Sequence, residues 1–350
     1  MKKVLGKLKY ALFFLIGVLL LWLAFRSHEP AEIIKEFQEA KYEYVLYAVM
    51  AGLASTFSRA LRWNMLIKPF GFNIHPFRSF LAMMTGYLAN LAVPRMGEIT
   101  RCVVINQTDD VPVNKLFGTV VTERIIDLLA VLVLITLALI FEWERLATFF
   151  ATSYEDMGLN DPGSIIYWAT KPVVFIPAFI LFAGGLYLAY HIMNRRMEGN
   201  LMIRIKELIK GFWAGIISIR KIEKVWLFIL HSVFIWSMYI LMTYLCFFAV
   251  ESTSHLTISA AFFVMVIGAF GFIAPVQGGI GAYHWLVMES LVLYDIPRKQ
   301  GLTFATIAHA AQTVYILIFG GLCLLTFIFF YRKKLTDVDL EELEKQNSEN

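Results

Sequence analysis

The apolar residues of this chain fall in long blocks, with neither the strict alternation of strands nor the single stripe of a surface helix. Six blocks reach the roughly 20 apolar residues that a helix needs to cross a hydrocarbon core of about 30 Å. They are 8–25, 44–66, 117–141, 173–193, 225–250 and 301–331. Two further apolar regions are interrupted. Region 78–106 is broken by Pro94, Arg95, Met96, Gly97 and Glu98, and region 256–294 by Pro275, Val276, Gln277, Gly278, Gly279 and Gly281. The arms of the first, 79–93 and 99–106, are too short to cross, since eight helical residues rise only about 12 Å. This predicts a helical hairpin that enters and leaves on one side. The second region reads the same way, although its arm 256–274 is just long enough to cross and 280–293 is not, so a full crossing stays open there.

The order of these blocks repeats. Fifty residues separate Tyr44 from Pro94, and fifty separate Val225 from Pro275. Each half runs span, hairpin, span, and the two halves enter the membrane in opposite directions. That is the order of an inverted-topology repeat whose broken helices meet near the midplane. The expected fold is therefore an all-α polytopic membrane protein, with six spanning helices and two re-entrant helical hairpins. The membrane domain covers 1–336, with repeat halves at about 44–141 and 225–331. Residues 143–171 read as a polar external loop with its turn at Asn160, Asp161, Pro162 and Gly163. Residues 195–224 read as a basic amphipathic helix on the cytoplasmic surface, and 337–350 as a polar tail.

Composition agrees. Hydrophobic residues make up 59% and charged residues 17%, against roughly 45–50% and 25% in soluble chains, which excludes a soluble enzyme. The net charge of +4 matters less than its distribution. Of the 31 Lys and Arg, 19 fall on the side of both termini and seven on the other. The positive-inside rule then places both termini in the cytoplasm of a bacterial-type inner membrane. The start, MKKVLGKLK and an apolar run, looks like a secretion signal, but no small-residue cleavage site follows, so it reads as a retained first helix. Cys102, Cys246 and Cys323 show no metal-ligand spacing and read as core thiols. There is no nucleotide-binding loop, zinc motif or nucleophile triad, so no cofactor, metal or nucleic acid is expected, and a transporter is favoured over an enzyme.

Nine formal charges lie inside the apolar regions: Arg59, Arg62, Arg95, Glu98, Arg101, Glu123, Arg124, Asp127 and Glu289. At roughly 2.5–3.5 kcal/mol each, nine unpaired charges would cost on the order of 20–30 kcal/mol. That exceeds the stability of an ordinary domain, so they must pair, meet water or snorkel. Arg59 and Arg62 sit near a helix end, where snorkelling is the plain expectation. Arg95 and Glu98 mark the first hairpin tip, and Arg101 follows Glu98 on the same helical face. Glu123 and Asp127 share a face at i, i+4, beside Arg124. They read either as a structural ion network or as part of a site.

Pro94 suits the first turn of a helix starting there, and a helix N-terminus favours an anion. Gly278, Gly279 and Gly281 let backbone approach a ligand. Two such tips with an arginine cluster suggest a polar cavity for an anionic group such as phosphate, onto which arginine forks well. Candidate contacts are Asn90, Pro94, Arg95, Gly97, Glu98, Arg101, Arg62, Glu123, Arg124, Asp127, Pro275, Gln277, Gly278, Gly279, Gly281 and His284. His231 and His309 read as hydrogen-bonded interior histidines.

Four segments together resemble the membrane region of the lysylphosphatidylglycerol synthases, a flippase-like family. They are RALRW at 59–63, NLAVPRMGEITR at 90–101, ERIID at 123–127 and PVQGGIG at 275–281. The family commonly places a Glu a few residues beyond the glycines, where this chain has His284. Full-length synthases carry a soluble aminoacyl-transferase domain after the membrane region, and this sequence stops soon after Lys334, so lipid aminoacylation is not expected of it. The resemblance implies the other half of that activity, movement of an anionic phospholipid or lipid phosphate between leaflets. A second copy of the chain or a separate lipid-modifying enzyme would be its protein partner. The alternative is a membrane enzyme, or its accessory subunit, acting on polyprenyl-phosphate-linked sugars through Glu98, Glu123 or Asp127.

Overall fold

The structure is a computed structural model that describes residues 30–148, 222–273 and 276–331, with residues 19, 21 and 22. Apart from those three residues, the expected span 8–25 lies outside the described residues. So do the span 173–193, the external loop beyond 148, the surface helix up to residue 221, the tail and Pro275.

All regular elements among the described residues are helical: α1 (Pro30–Glu39), α2 (Tyr42–Ile67), α3 (Pro76–Ala92), α4 (Met96–Asp109), α5 (Val113–Phe141), α6 (Val225–Ala249), α7 (Ile258–Ile273), α8 (Ala282–Val292) and α9 (Arg298–Thr326). A π turn, Phe327–Tyr331, extends α9. Four helical stretches are long and apolar enough to cross a membrane: Tyr42–Phe70, Val113–Phe141, Val225–Ala249 and Arg298–Tyr331. The protein is thus a helical membrane protein, and these four match the expected spans closely. Helix α1 was not expected, because its short, mostly polar sequence carries too few apolar positions to register as a block.

The interrupted regions become helix pairs. Helix α3 has 17 residues and α4 has 14, about 25 and 21 Å of rise. Helices α7 and α8 have 16 and 11, about 24 and 16 Å. The first pair is antiparallel, since Arg78 at the start of α3 bonds to Asp109 at the end of α4 at 3.0 Å. Its two backbones touch: a Cβ on Gly97 would strike the Gly86 carbonyl, and one on Gly86 would lie 2.8 Å from the Gly97 carbonyl.

The helix packings match when the halves are exchanged, with α2 for α6, α3 for α7, α4 for α8 and α5 for α9. Helices α2 on α3, α3 on α4, α4 on α5, α3 on α9 and α2 on α5 correspond to α6 on α7, α7 on α8, α8 on α9, α7 on α5 and α6 on α9. Helices α2 and α6 pack on each other at the centre; α2 also packs on α9 more extensively than α6 does on α5.

The core is divided. One apolar cluster joins Ala48, Phe247, Phe263, Tyr294 and Phe304. The other joins Trp63, Ile67, Met83, Ile105, Leu116 and Phe228. Between them along the helices lies a buried polar belt of Ser55, Thr56, Ser58, Arg62, Glu123, Asp127 and His309. The three cysteines are buried and free, as expected.

Candidate functional site

The centre of the belt is an ion network joining α2, α4 and α5. The Glu123 carboxylate receives Arg101 at 2.7 Å, Arg59 at 2.9 Å, Arg124 at 3.4 Å and Arg62 at 3.5 Å. Asp127, one turn on, receives Arg62 at 2.6 Å and also pairs with Arg59. The spacing explains this. Arg59 and Arg62 at i, i+3 present two guanidinia on one face of α2, opposite two carboxylates at i, i+4 on α5. The expectation that these arginines snorkel is therefore corrected: the Arg62 side chain is 0% exposed and that of Arg59 is 11%. Carboxylates one helix away hold the guanidinia inside.

Neighbours fix each guanidinium. Arg59 donates to the Tyr239 and Tyr87 hydroxyls at 3.1 and 3.4 Å. Arg62 donates to the Ser232 hydroxyl at 3.1 Å and lies over the Phe228 ring. Arg101 lies 4.7 Å over the Trp63 ring, whose indole N–H donates to Thr119 at 2.9 Å. Three largely buried guanidinia, Arg59, Arg62 and Arg101, thus meet two carboxylates, leaving one formal positive charge in excess. Among the described residues, the N–H groups at Arg62 Nε and at Arg101 Nε and Nη2 are buried and find no hydrogen-bond acceptor. Such donors favour an anion.

The first tip stands beside this network. The Asn90 side chain accepts the Gly97 N–H at 2.6 Å, satisfying one of the free donors at the start of α4. Arg95, not Pro94, is the N-cap residue, with φ of 64°. Pro94 lies one residue outside the helix, a correction to its expected place in the first turn, because the chain needs a left-handed residue between the two antiparallel arms. The Arg95 side chain is exposed. Glu98 is half-buried, and its Oε2 has no hydrogen-bond partner among the described residues. The face it shares with Arg101 is not used for pairing, since Arg101 turns to Glu123. Arg124 is 44% exposed at its side chain.

The second tip is the turn Gln277–Gly279 and the residues leading into α8. Gly278, Gly279 and Gly281 all have positive φ, of 58°, 75° and 81°, which explains the glycine spacing. The two tips meet: α3 packs on this turn, and a Cβ on Gly278 would lie 3.3 Å from Leu91. His284 is buried at the start of α8, and its Nδ1 accepts the Gly281 N–H at 3.4 Å. His309 of α9 reaches the Gly278 carbonyl at 2.7 Å.

The structure thus brings Arg62, Arg101, Glu123, Arg124 and Asp127 into one network. Asn90, Pro94, Arg95, Gly97 and Glu98 form the first tip, and Gln277, Gly278, Gly279, Gly281 and His284 the second. Glu289 stands apart, paired with Arg298 at 2.8 and 3.1 Å. Arg59, Tyr87, Tyr239 and His309 join the site without having been singled out for it. The complementary spacing of 59/62 and 123/127 could have revealed Arg59; nothing local marks the other three.

Comparison with known proteins gives two matches. The family model described as the lysylphosphatidylglycerol synthase TM region matches residues 10–320. A UPF0104 membrane protein of Methanocaldococcus jannaschii is 29% identical over 99 residues, covering 27% of this chain and 30% of that protein. The match therefore spans less than a third of that relative. No solved structure matches the chain. The family match runs through both tips and the whole ion network, and the chain belongs to the family of the lysylphosphatidylglycerol synthase TM region.

Proposed function

We propose that this protein moves an anionic lipid, through its phosphate head group, between the leaflets of the cytoplasmic membrane. In this reading the chain has six spans, the pairs α3–α4 and α7–α8 are re-entrant hairpins of an inverted repeat, and both termini are cytoplasmic. The observation that carries the reading is the surplus of buried arginine beside the meeting point of two helix-hairpin tips. A buried cationic excess with unused N–H donors is stable where an anion visits it. Irregular backbone at membrane depth is tolerated where it is buried in protein or lines a polar cavity.

The roles divide accordingly. Arg95, exposed at the first tip, makes the first contact with the phosphate. Arg101 offers its unused Nε and Nη2 edge at depth. Glu123 and Asp127 hold the arginines in place and keep the empty site from carrying three uncompensated charges. Gly278, Gly279 and Gly281 present backbone to the head group. Both carboxylates are engaged by guanidinia, which favours transport over general acid–base chemistry at Glu123 or Asp127.

The test is lipid movement in proteoliposomes containing a phosphatidylglycerol labelled on its acyl chain with a spin probe or fluorophore, together with mass spectrometry of lipids that co-purify. Wild type should exchange the label between leaflets and retain an acidic lipid. Arg95→Ala, correctly inserted, should lose both. Label exchange no faster than in protein-free liposomes, or undiminished in Arg95→Ala, refutes the assignment.

A further inference from the structure

The second tip is fastened at both ends by imidazoles, and the hydrogen-bond roles fix their protonation. A carbonyl can only accept, so His309 Nε2 carries a proton and donates it to Gly278 O at 2.7 Å. Its Nδ1 faces the Thr313 hydroxyl at 3.5 Å, and the hydroxyl can supply the hydrogen. An amide N–H can only donate, so His284 Nδ1, which takes the Gly281 N–H at 3.4 Å, must be unprotonated. In this arrangement both rings are neutral, and their centroids are 4.7 Å apart.

The surroundings enforce neutrality. Phe272 of α7 stacks parallel to His309 at 5.9 Å, and Tyr283 of α8 lies 5.4 Å from it. The titratable groups close by are Tyr283 itself and Cys246 of α6, which faces Tyr283. Among the described residues no carboxylate or guanidinium is hydrogen-bonded or ion-paired to either imidazole. A proton arriving on His284 would sit on Nδ1, opposed to the Gly281 N–H, and would place a cation 4.7 Å from a second imidazole in an apolar setting. The closed tip therefore excludes that proton, while a wetted, open tip accepts it.

We infer that the His284–His309 pair is an acid-released latch: neutral imidazoles hold the Gln277–Gly281 turn closed between α7 and α9, and protonation of His284 frees it. Its part in transport rests on the proposed lipid translocation, whereas the opening itself does not. The size of the effect follows from linkage. A proton bound only in the open state, at an ordinary imidazole affinity near pH 6.5, multiplies the open-to-closed ratio roughly tenfold between pH 7.5 and pH 5.5.

The experiment reads the turn without any lipid flux. A nitroxide is attached at Ile280→Cys, at the exposed edge of the turn, in the full chain with Cys102, Cys246 and Cys323 replaced by alanine. The ratio of mobile to immobile spectral components is followed from pH 7.5 to 5.5. The parent should show the roughly tenfold rise. His284→Gln keeps a neutral acceptor for the Gly281 N–H and cannot be protonated, so it should abolish the rise. His255→Gln, on the exposed loop after α6, should leave it unchanged. A flat parent titration overturns the latch regardless of whether any variant folds, and so does a rise that persists in His284→Gln. Because no transported lipid is measured, loss of the translocation reading would leave this result standing, and the reverse holds as well.

Discussion

Neutralising Glu123 should unbalance the whole belt. Glu123→Gln keeps the volume of the side chain and one acceptor oxygen, but removes the charge that four guanidinia share. Arg59, Arg62 and Arg101 would then face Asp127 alone, so the buried excess rises from one positive charge to two. Removing one partner of a buried ion pair costs about 3–5 kcal/mol. The retained acceptor argues for the lower end, about 3 kcal/mol, equivalent to a fall in Tm of about 6–12 °C if larger single domains are a guide. The second substitution of the cycle is Arg101→Met, which removes the guanidinium closest to Glu123, at 2.7 Å. In Glu123→Gln/Arg101→Met the excess returns to one. The double variant should then be less destabilised than the two single losses added together, by a coupling of about 2 kcal/mol. Thermal unfolding followed by tryptophan fluorescence in mild detergent measures all four corners. Trp63, under the Arg101 guanidinium, gives a local signal as well. Additive losses, with Glu123→Gln within about 1 kcal/mol of wild type, would show that the network is solvated and that the charge argument is wrong.

Four other results should follow. Gly97→Ala places a methyl against the Gly86 carbonyl and 2.6 Å from the Asn90 amide nitrogen, so it should lower stability by about 1–3 kcal/mol. Gly118→Ala in α5 meets nothing within 4 Å, so it should be neutral or up to about 1 kcal/mol stabilising, and thermal unfolding separates the two. Arg95→Gly keeps the left-handed backbone that glycine prefers, so it should match or exceed wild-type stability while losing lipid movement in proteoliposomes; full activity would remove the charge of Arg95 from the mechanism. Asn90→Ala leaves the Gly97 N–H without its acceptor, and should cost about 1–2 kcal/mol as read by the same unfolding assay.

The long helices were legible because block hydrophobicity is a one-dimensional signal. The ends of α6 at Val225 and Ala249 fall within one residue of the sequence reading. The interrupted arms were legible as short, although α4 begins three residues earlier and ends three later than its apolar part, since its polar ends Met96–Glu98 and Gln107–Asp109 continue the helix. The charges were legible as requiring partners, but not who their partners were. Arg59 looked like a snorkelling residue because its position along α2 is near a helix end; its rotation toward α5 is a tertiary fact. The placement of Pro94 failed because proline is allowed at N1 and equally just outside a helix, and only the αL residue at Arg95 decides between them. His309 lies 31 residues from Gly278, and nothing local to it announces a contact with the second tip.

The contact between Gly86 and Gly97 has a mechanical consequence. Backbone on backbone leaves no compliant side chain between α3 and α4, so this hairpin cannot flex internally and must translate or rotate as one piece. Arg101 ties that piece to α5 through Glu123, and the same carboxylate ties α5 to α2. Four helices are thereby joined into a single stiff frame, with the arginines as rivets. The pair α7 and α8 has a backbone contact of its own, since a Cβ on Gly271 would lie 2.5 Å from Tyr283 Cα, and its turn is fastened in addition by two neutral hydrogen bonds to glycine backbone and by ring stacking. A protein whose packing repeats almost symmetrically thus has backbone contact within both pairs and differs in what fastens each tip, charge beside the first and neutral hydrogen bonds at the second.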